Sequence, residues 1–130
     1  MKKLFFVLLG ILGLLSCVPA SAEWVSYYQG AETEEFFDPQ LISQEKGLLK
    51  LWTLTTYAAP ITSLEGQELQ SEKTLTTVDC PARKTGAEKV IKLTGKNGDG
   101  MVVATMDTVL RLGRVRAGSA DDQLLGKICR

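Results

Sequence analysis

Histidine is absent from all 130 residues. The side chain most often used to move protons near neutral pH is therefore missing, which excludes His-containing catalytic triads and His-ligated zinc. Cysteine is scarce, with three residues at positions 17, 80 and 129 and no Cys-x-x-Cys pair of the kind that working redox sites use. The glycine cluster at residues 95–100 lacks the Gly-Lys-Ser/Thr ending of a phosphate loop, and its Asn-Gly and Asp-Gly steps suit a hairpin. Basic residues are in no excess: 15 Lys and Arg stand against 15 Asp and Glu, so nucleic acid is not an expected partner. No apolar run reaches the roughly 20 residues that span a bilayer. Internal repeats and low-complexity tracts are also missing. None of the residue patterns present implies a cofactor or a metal.

The apolar run that does exist occupies residues 4–15, behind Lys2 and Lys3 and before Ala20-Ser21-Ala22. A short positive start, a brief apolar stretch and a small-residue site form an export signal. Two processing routes fit. Cleavage between Ala22 and Glu23 releases a periplasmic protein. Alternatively Leu14-Leu15-Ser16-Cys17 acts as a lipobox, and acylated Cys17 anchors the chain at the outer membrane or cell surface. Only this second route brings a membrane partner. Loss of residues 1–22 removes two lysines, leaving 13 basic residues against 15 acidic ones and a net charge of −2.

Residues 23–130 suffice for one domain with one core. Their cysteines, Cys80 and Cys129, read first as a structural disulfide in an oxidising compartment, with a redox pair as the alternative. Strands are expected at residues 24–28, 48–57, 73–80, 88–94 and 101–105, with one more at 108–112. The strand at 48–57 carries apolar residues on both faces, as a central strand does. Loops or turns are expected at 29–35, 58–70, 81–87 and 95–100, with a short extended piece at 36–39. Ser119 and Asp122 form a capping-box pattern, and Leu124, Leu125 and Ile128 recur at helical spacing. The expected class is α+β: a single antiparallel sheet of about five or six strands with a C-terminal helix stapled by one disulfide.

Several features taken together resemble a known family. Trp24 lies near the mature start, and Phe37-Asp38-Pro39 is followed by Ile42. The strand Leu-x-x-Leu-Trp-x-Leu-x-x-Tyr comes next, then Ser71, Lys73 and Leu75 leading into Val78-Asp79-Cys80, and finally a Gly118-Ser119-capped helix ending at Cys129. This order is similar to that of the surface-adhesin protein E-like domain of Gram-negative bacteria, over the whole mature chain. The resemblance implies an antiparallel sheet with a flanking helix, a Cys80–Cys129 bridge and an envelope location. The founding adhesin is a lipoprotein that binds host extracellular proteins and dimerises, so host proteins and a second copy of the chain are the implied partners. Most relatives are small exported proteins without an assigned role. No segment here matches a distinct ligand-binding motif.

Function follows less directly. A protein-binding module draws on Tyr27, Tyr28, Phe36 and Phe37 and on Arg111, Arg114 and Arg116, since Tyr and Arg are enriched at interface hot spots. Against that, the aromatics equally well fill a core and the arginines a solvated surface. A periplasmic structural or stress accessory is the alternative role. An enzyme draws on Ser63 or Ser71 with Lys73, or on Glu34, Glu35 and Asp38 as an acid–base or cation site. None of these has a spacing that marks catalysis, and a non-enzymatic protein is expected.

Overall fold

The computed structural model describes residues 23–130, so the export signal, Cys17 and the cleavage site before Glu23 lie outside the described residues. Strands β1 (Val25–Gln29), β2 (Thr33–Phe37), β4 (Leu48–Thr62), β5 (Glu68–Asp79), β6 (Lys84–Leu93) and β7 (Val102–Asp107) form one sheet in that spatial order. All pairings are antiparallel. Two short strands extend the sheet: β3 (Ser43–Glu45) pairs with the start of β4, and β8 (Gly113–Arg114) with the start of β6. Helix α1 (Ala120–Ile128) follows.

Alternation along the strands gives the sheet two different faces. One face carries Tyr27, Phe37, Leu51 and Val78, which form a core with Leu124 and Leu125 of the helix. On the opposite face Leu54 is equally buried, at 1 % exposure. There the 95–100 segment folds back over the sheet, bringing Gly98 against Leu54 and the Lys73 side chain. β4 is therefore covered on both sides, as its two-sided apolar content suggests.

The helix begins where the capping pattern places it. Ser119 Oγ accepts from the Asp122 N–H at 3.2 Å. Asp122 reaches back one residue further than in the usual box, accepting from the Gly118 N–H at 2.9 Å. Arg83 also pairs with this carboxylate, tying the helix start to the turn before β6. At the other end Cys129 is bonded to Cys80, which follows β5, with their Cα atoms 5.5 Å apart. The helix is thus fixed to the sheet at both ends.

Several expected boundaries require correction. The loop expected at 29–35 contains three of the five residues of β2, because Glu34 and Glu35 pair with Thr56 and Thr55. The long connection expected at 58–70 is mostly strand, with only residues 63–67 at the hairpin tip. Pro60 is tolerated there because the β4–β5 register shifts between Thr56 and Ile61, which relieves it of a ladder bond. The turn expected at 81–87 is shorter, since β6 starts at Lys84. Residues 95–100 do reverse the chain, but through a 3-10 turn at Lys96–Gly98 with Asn97 and Gly98 both at positive φ. No strand forms at 108–112. That segment instead links β7 to β8 beside β6 and crosses over Gly86, with the Thr108 N–H bonded to the Glu88 carbonyl at 2.9 Å. Gly86 lies beneath the crossing: a Cβ there would sit 2.7 Å from the Arg111 carbonyl oxygen.

Candidate functional site

Between the first turn of α1 and the sheet lies a polar cavity of about 230 Å³, lined by Tyr27, Glu35, Thr53, Thr55, Glu72, Asp121 and their neighbours. The strand register collects these side chains. Glu35 is opposite Thr55, Thr55 is opposite Glu72, and Thr53 is opposite Thr74, so all face the helix. Asp121 enters from the helix and accepts from Thr85 Oγ1 at 2.7 Å. Tyr57 donates to Glu72 at 2.9 Å. Thr53 and Thr76 share a hydrogen bond of 3.0 Å within the wall.

Three carboxylates around one cavity repel each other. Burial pushes the Glu35 carboxyl above the usual glutamate range, and the Asp121 charge adds to the rise. Hydrogen bonds from Tyr27 and Thr55 oppose it without cancelling it. The Tyr27 hydroxyl is raised as well, by burial first and then by Glu35. The folded protein therefore holds the Glu35 proton more tightly than the unfolded chain does. Over the interval between the ordinary and the raised value, stability falls as pH rises. Glu35→Gln is expected to raise the neutral-pH melting temperature and to flatten its decline from pH 4 to 7, as followed by circular dichroism. Superimposable pH profiles for the two proteins would refute this.

The cavity is acidic and polar, lined by three carboxylates, a tyrosine and five threonines. No lysine or arginine lines it; Thr53 bonds to Thr76 and to the Thr74 carbonyl, while Thr55 and Thr85 donate to Glu35 and Asp121. Among the described residues no three His, Cys, Asp or Glu side chains are placed to hold one metal ion, the three carboxylates of the cavity included. The serines considered as nucleophiles serve the backbone. Buried Ser71 donates to the Gly95 carbonyl at 2.5 Å and accepts from the Gly98 N–H at 3.0 Å. Ser63 accepts from the Gln67 N–H at 3.1 Å in the hairpin tip. Lys73 packs under Gly98.

The residues proposed for protein contact separate into two groups. Tyr27 and Phe37 lie in the core, with ring centroids 6.1 Å apart. Tyr28 is half-buried against that core, and Phe36 is half-buried on the other face, opposite Leu54. Arg111, Arg114 and Arg116 are exposed, in the crossing segment, in β8 and before the helix. Exposed apolar side chains gather elsewhere: Ile61 and Leu64 at the β4–β5 tip, and Met101, Val102, Met106 and Val109 in and beside β7. A groove of about 450 Å³ joins the first group to the second through Leu69, Val103 and Ala104. Residues 24–130 match the family described as surface-adhesin protein E.

The chain belongs to that family. No curated protein matches it. The match covers every element described above, including the disulfide and the helix. In this surface-adhesin protein E domain β7 is an end strand of the sheet. The other end strand, β1, packs against α1. The family carries a surface, adhesin-like role, and among the described residues no helix is long and apolar enough to cross a membrane. Sequence reasoning missed the β7 edge because Met101 and Val102 read as ordinary strand residues and Met106 fell outside the expected strand at 101–105. The end-of-sheet position that exposes them is set by pairing, not by composition.

Proposed function

We propose that this chain is an exported, non-enzymatic binding module that engages another protein by accepting an extended segment along β7. The observation that carries this reading is the free edge of β7 beside exposed Val102 and Met106, at 59 % and 42 %. An edge strand offers unpaired backbone groups for affinity, and flanking apolar side chains supply specificity. Host extracellular proteins are the partners that the family membership favours. Export rests on residues 1–22, and acylation of Cys17 would hold the domain at the surface.

Bacteria displaying the full chain are expected to adhere to immobilised host extracellular proteins. Val102→Lys combined with Met106→Lys should reduce adhesion by roughly tenfold, while surface substitutions of this kind change stability by no more than about 0.5 kcal/mol. Counting adherent cells and comparing melting curves checks both parts. Equal adhesion by the double variant and the unmodified protein would overturn the β7 assignment.

A further inference from the structure

Both tryptophans of the chain line one groove, on the sheet face opposite the helix. The groove holds about 280 Å³ and is walled by Trp24, Asp38, Leu41, Trp52, Lys73 and Ile91. Pairing explains the assembly. Trp24 precedes β1 and Asp38 follows β2, while Val25 and Phe37 between them are register partners. Trp52 lies two strands in, opposite Leu75, and Lys73 is opposite Ile91.

Asp38 is unusual within this apolar setting. It is only 2 % exposed, yet none of the salt bridges among the described residues includes it. Its Oδ1 accepts from the Gln40 N–H at 2.9 Å and caps the 3-10 turn at Pro39–Leu41. Oδ2 has no donor among the described residues and, unlike Thr77 Oγ1, is not a sealed atom lacking a partner. Asp38 itself lines the groove. A carboxylate withdrawn this far from water calls for a cation beside it. Lys73 does not supply one, because its Cε and Nζ lie against Gly98, on the loop that covers Leu54. A second carboxylate stands next along the chain from Trp24: Glu23 accepts from Gln40 Nε2 at 3.2 Å.

We propose that this groove binds an organic ammonium group, with the cation against Asp38 and its alkyl substituents between the two indoles. Indole faces are the strongest aromatic partners of a cation, and a desolvated setting strengthens the attraction. Mostly apolar walls with a few polar groups are what a small-ligand site requires, and here Trp24, Leu41, Trp52 and Ile91 surround Asp38, with Lys73 turned toward Gly98. A quaternary ammonium compound and a lysine side chain of a partner protein share this chemistry. The site is on the opposite face from the acidic cavity and does not depend on the β7 reading.

Because the chain has two tryptophans and both line the groove, its intrinsic fluorescence reports occupancy directly. The exported protein is titrated with choline chloride, with N-acetyl-lysine methylamide, and with 3,3-dimethyl-1-butanol, the uncharged shape analogue of choline. At constant ionic strength at least one cation is expected to give a saturable change. The alcohol should bind roughly tenfold more weakly. A stronger response to choline assigns the site to quaternary ammonium compounds, and a stronger response to the lysine amide assigns it to a protein side chain. Asp38→Asn, which keeps an acceptor for Gln40, should abolish the preference for cation over alcohol. Saturation by neither cation, or equal binding of choline and the alcohol, overturns the proposal without any need for a variant. A preference that survives in Asp38→Asn overturns it as well.

Discussion

Leu124→Ala is expected to lower the unfolding free energy by about 3–4 kcal/mol, from the lost burial of the side chain plus the cavity left behind. Leu124 is 0 % exposed and Leu125 is 1 %, and the two are the buried residues of a helix of nine. A helix that short is marginal in water alone, so its persistence depends on docking. With Leu125, Leu124 joins a cluster of Tyr27 from β1, Phe37 from β2, Leu51 from β4 and Val78 from β5, so the helix closes a core drawn from four strands. Removing the Leu124 side chain loosens the packing of the whole helix-side face. Urea unfolding followed by circular dichroism measures the difference. Gln123→Ala, exposed on the same helix, serves as the control and should stay within about 0.5 kcal/mol. A comparable small loss for Leu124→Ala would mean that the helix does not close the core.

Opening the Cys80–Cys129 bridge is expected to cost about 2–4 kcal/mol under oxidising conditions. The two residues are 49 apart in sequence, and the chain-entropy treatment puts the constraint on an unfolded loop of that size near 4 kcal/mol. Measured effects commonly fall below that limit. The bridge also holds the C-terminal end of α1, beside Ile128, against the end of β5. Cys80→Ala and Cys129→Ala should therefore destabilise by similar amounts, and reduced unmodified protein should melt close to both. The Leu124 and cysteine effects should not add, because both act on the docking of one helix. Equal melting of the oxidised protein and either variant would remove the bridge from the stability of the domain.

The fold was legible where a local signal and the final pairing agree. Residues 48–57 carry β-branched and apolar residues at both periodic positions, and they lie in β4, one of the two central strands. Ser119, Asp122 and the Leu124-Leu125-Ile128 spacing placed the helix within a residue. Misjudged segments shared one cause: their local chemistry favours loops while cross-strand partners override it. Glu34 and Glu35 look solvated, but opposite Thr56 and Thr55 they complete β2. Pro60 marks a break in sequence, and in the sheet it occupies a stretch already out of register. Conversely, residues 108–112 have strand composition but are used to cross over Gly86, the residue whose missing side chain makes room.

Candidate sites were less legible for a related reason. The acidic cavity unites Glu35, Glu72 and Asp121, which are widely separated in sequence and meet only through register and helix docking. Tyr27 and Phe37, plausible contact residues by type, were claimed by the core. The acid–base grouping of Asp38 with Glu34 and Glu35 does not form, because the two glutamates are on strand β2 while Asp38 caps a turn. What sets Asp38 apart is burial beside two indoles, and no spacing in the sequence announces it.

The most direct test of an exported, disulfide-stapled surface domain is intact mass spectrometry of the unreduced protein recovered from its native envelope, paired with labelling of whole cells. The expected mass is two hydrogens below that of the free thiols and begins either at Glu23 or at an acylated Cys17; surface labelling of the acylated form would place the β7 edge within reach of host proteins. A chain beginning at Met1 with Cys80 and Cys129 both free would contradict it, leaving the protein without the compartment its disulfide and its binding role require.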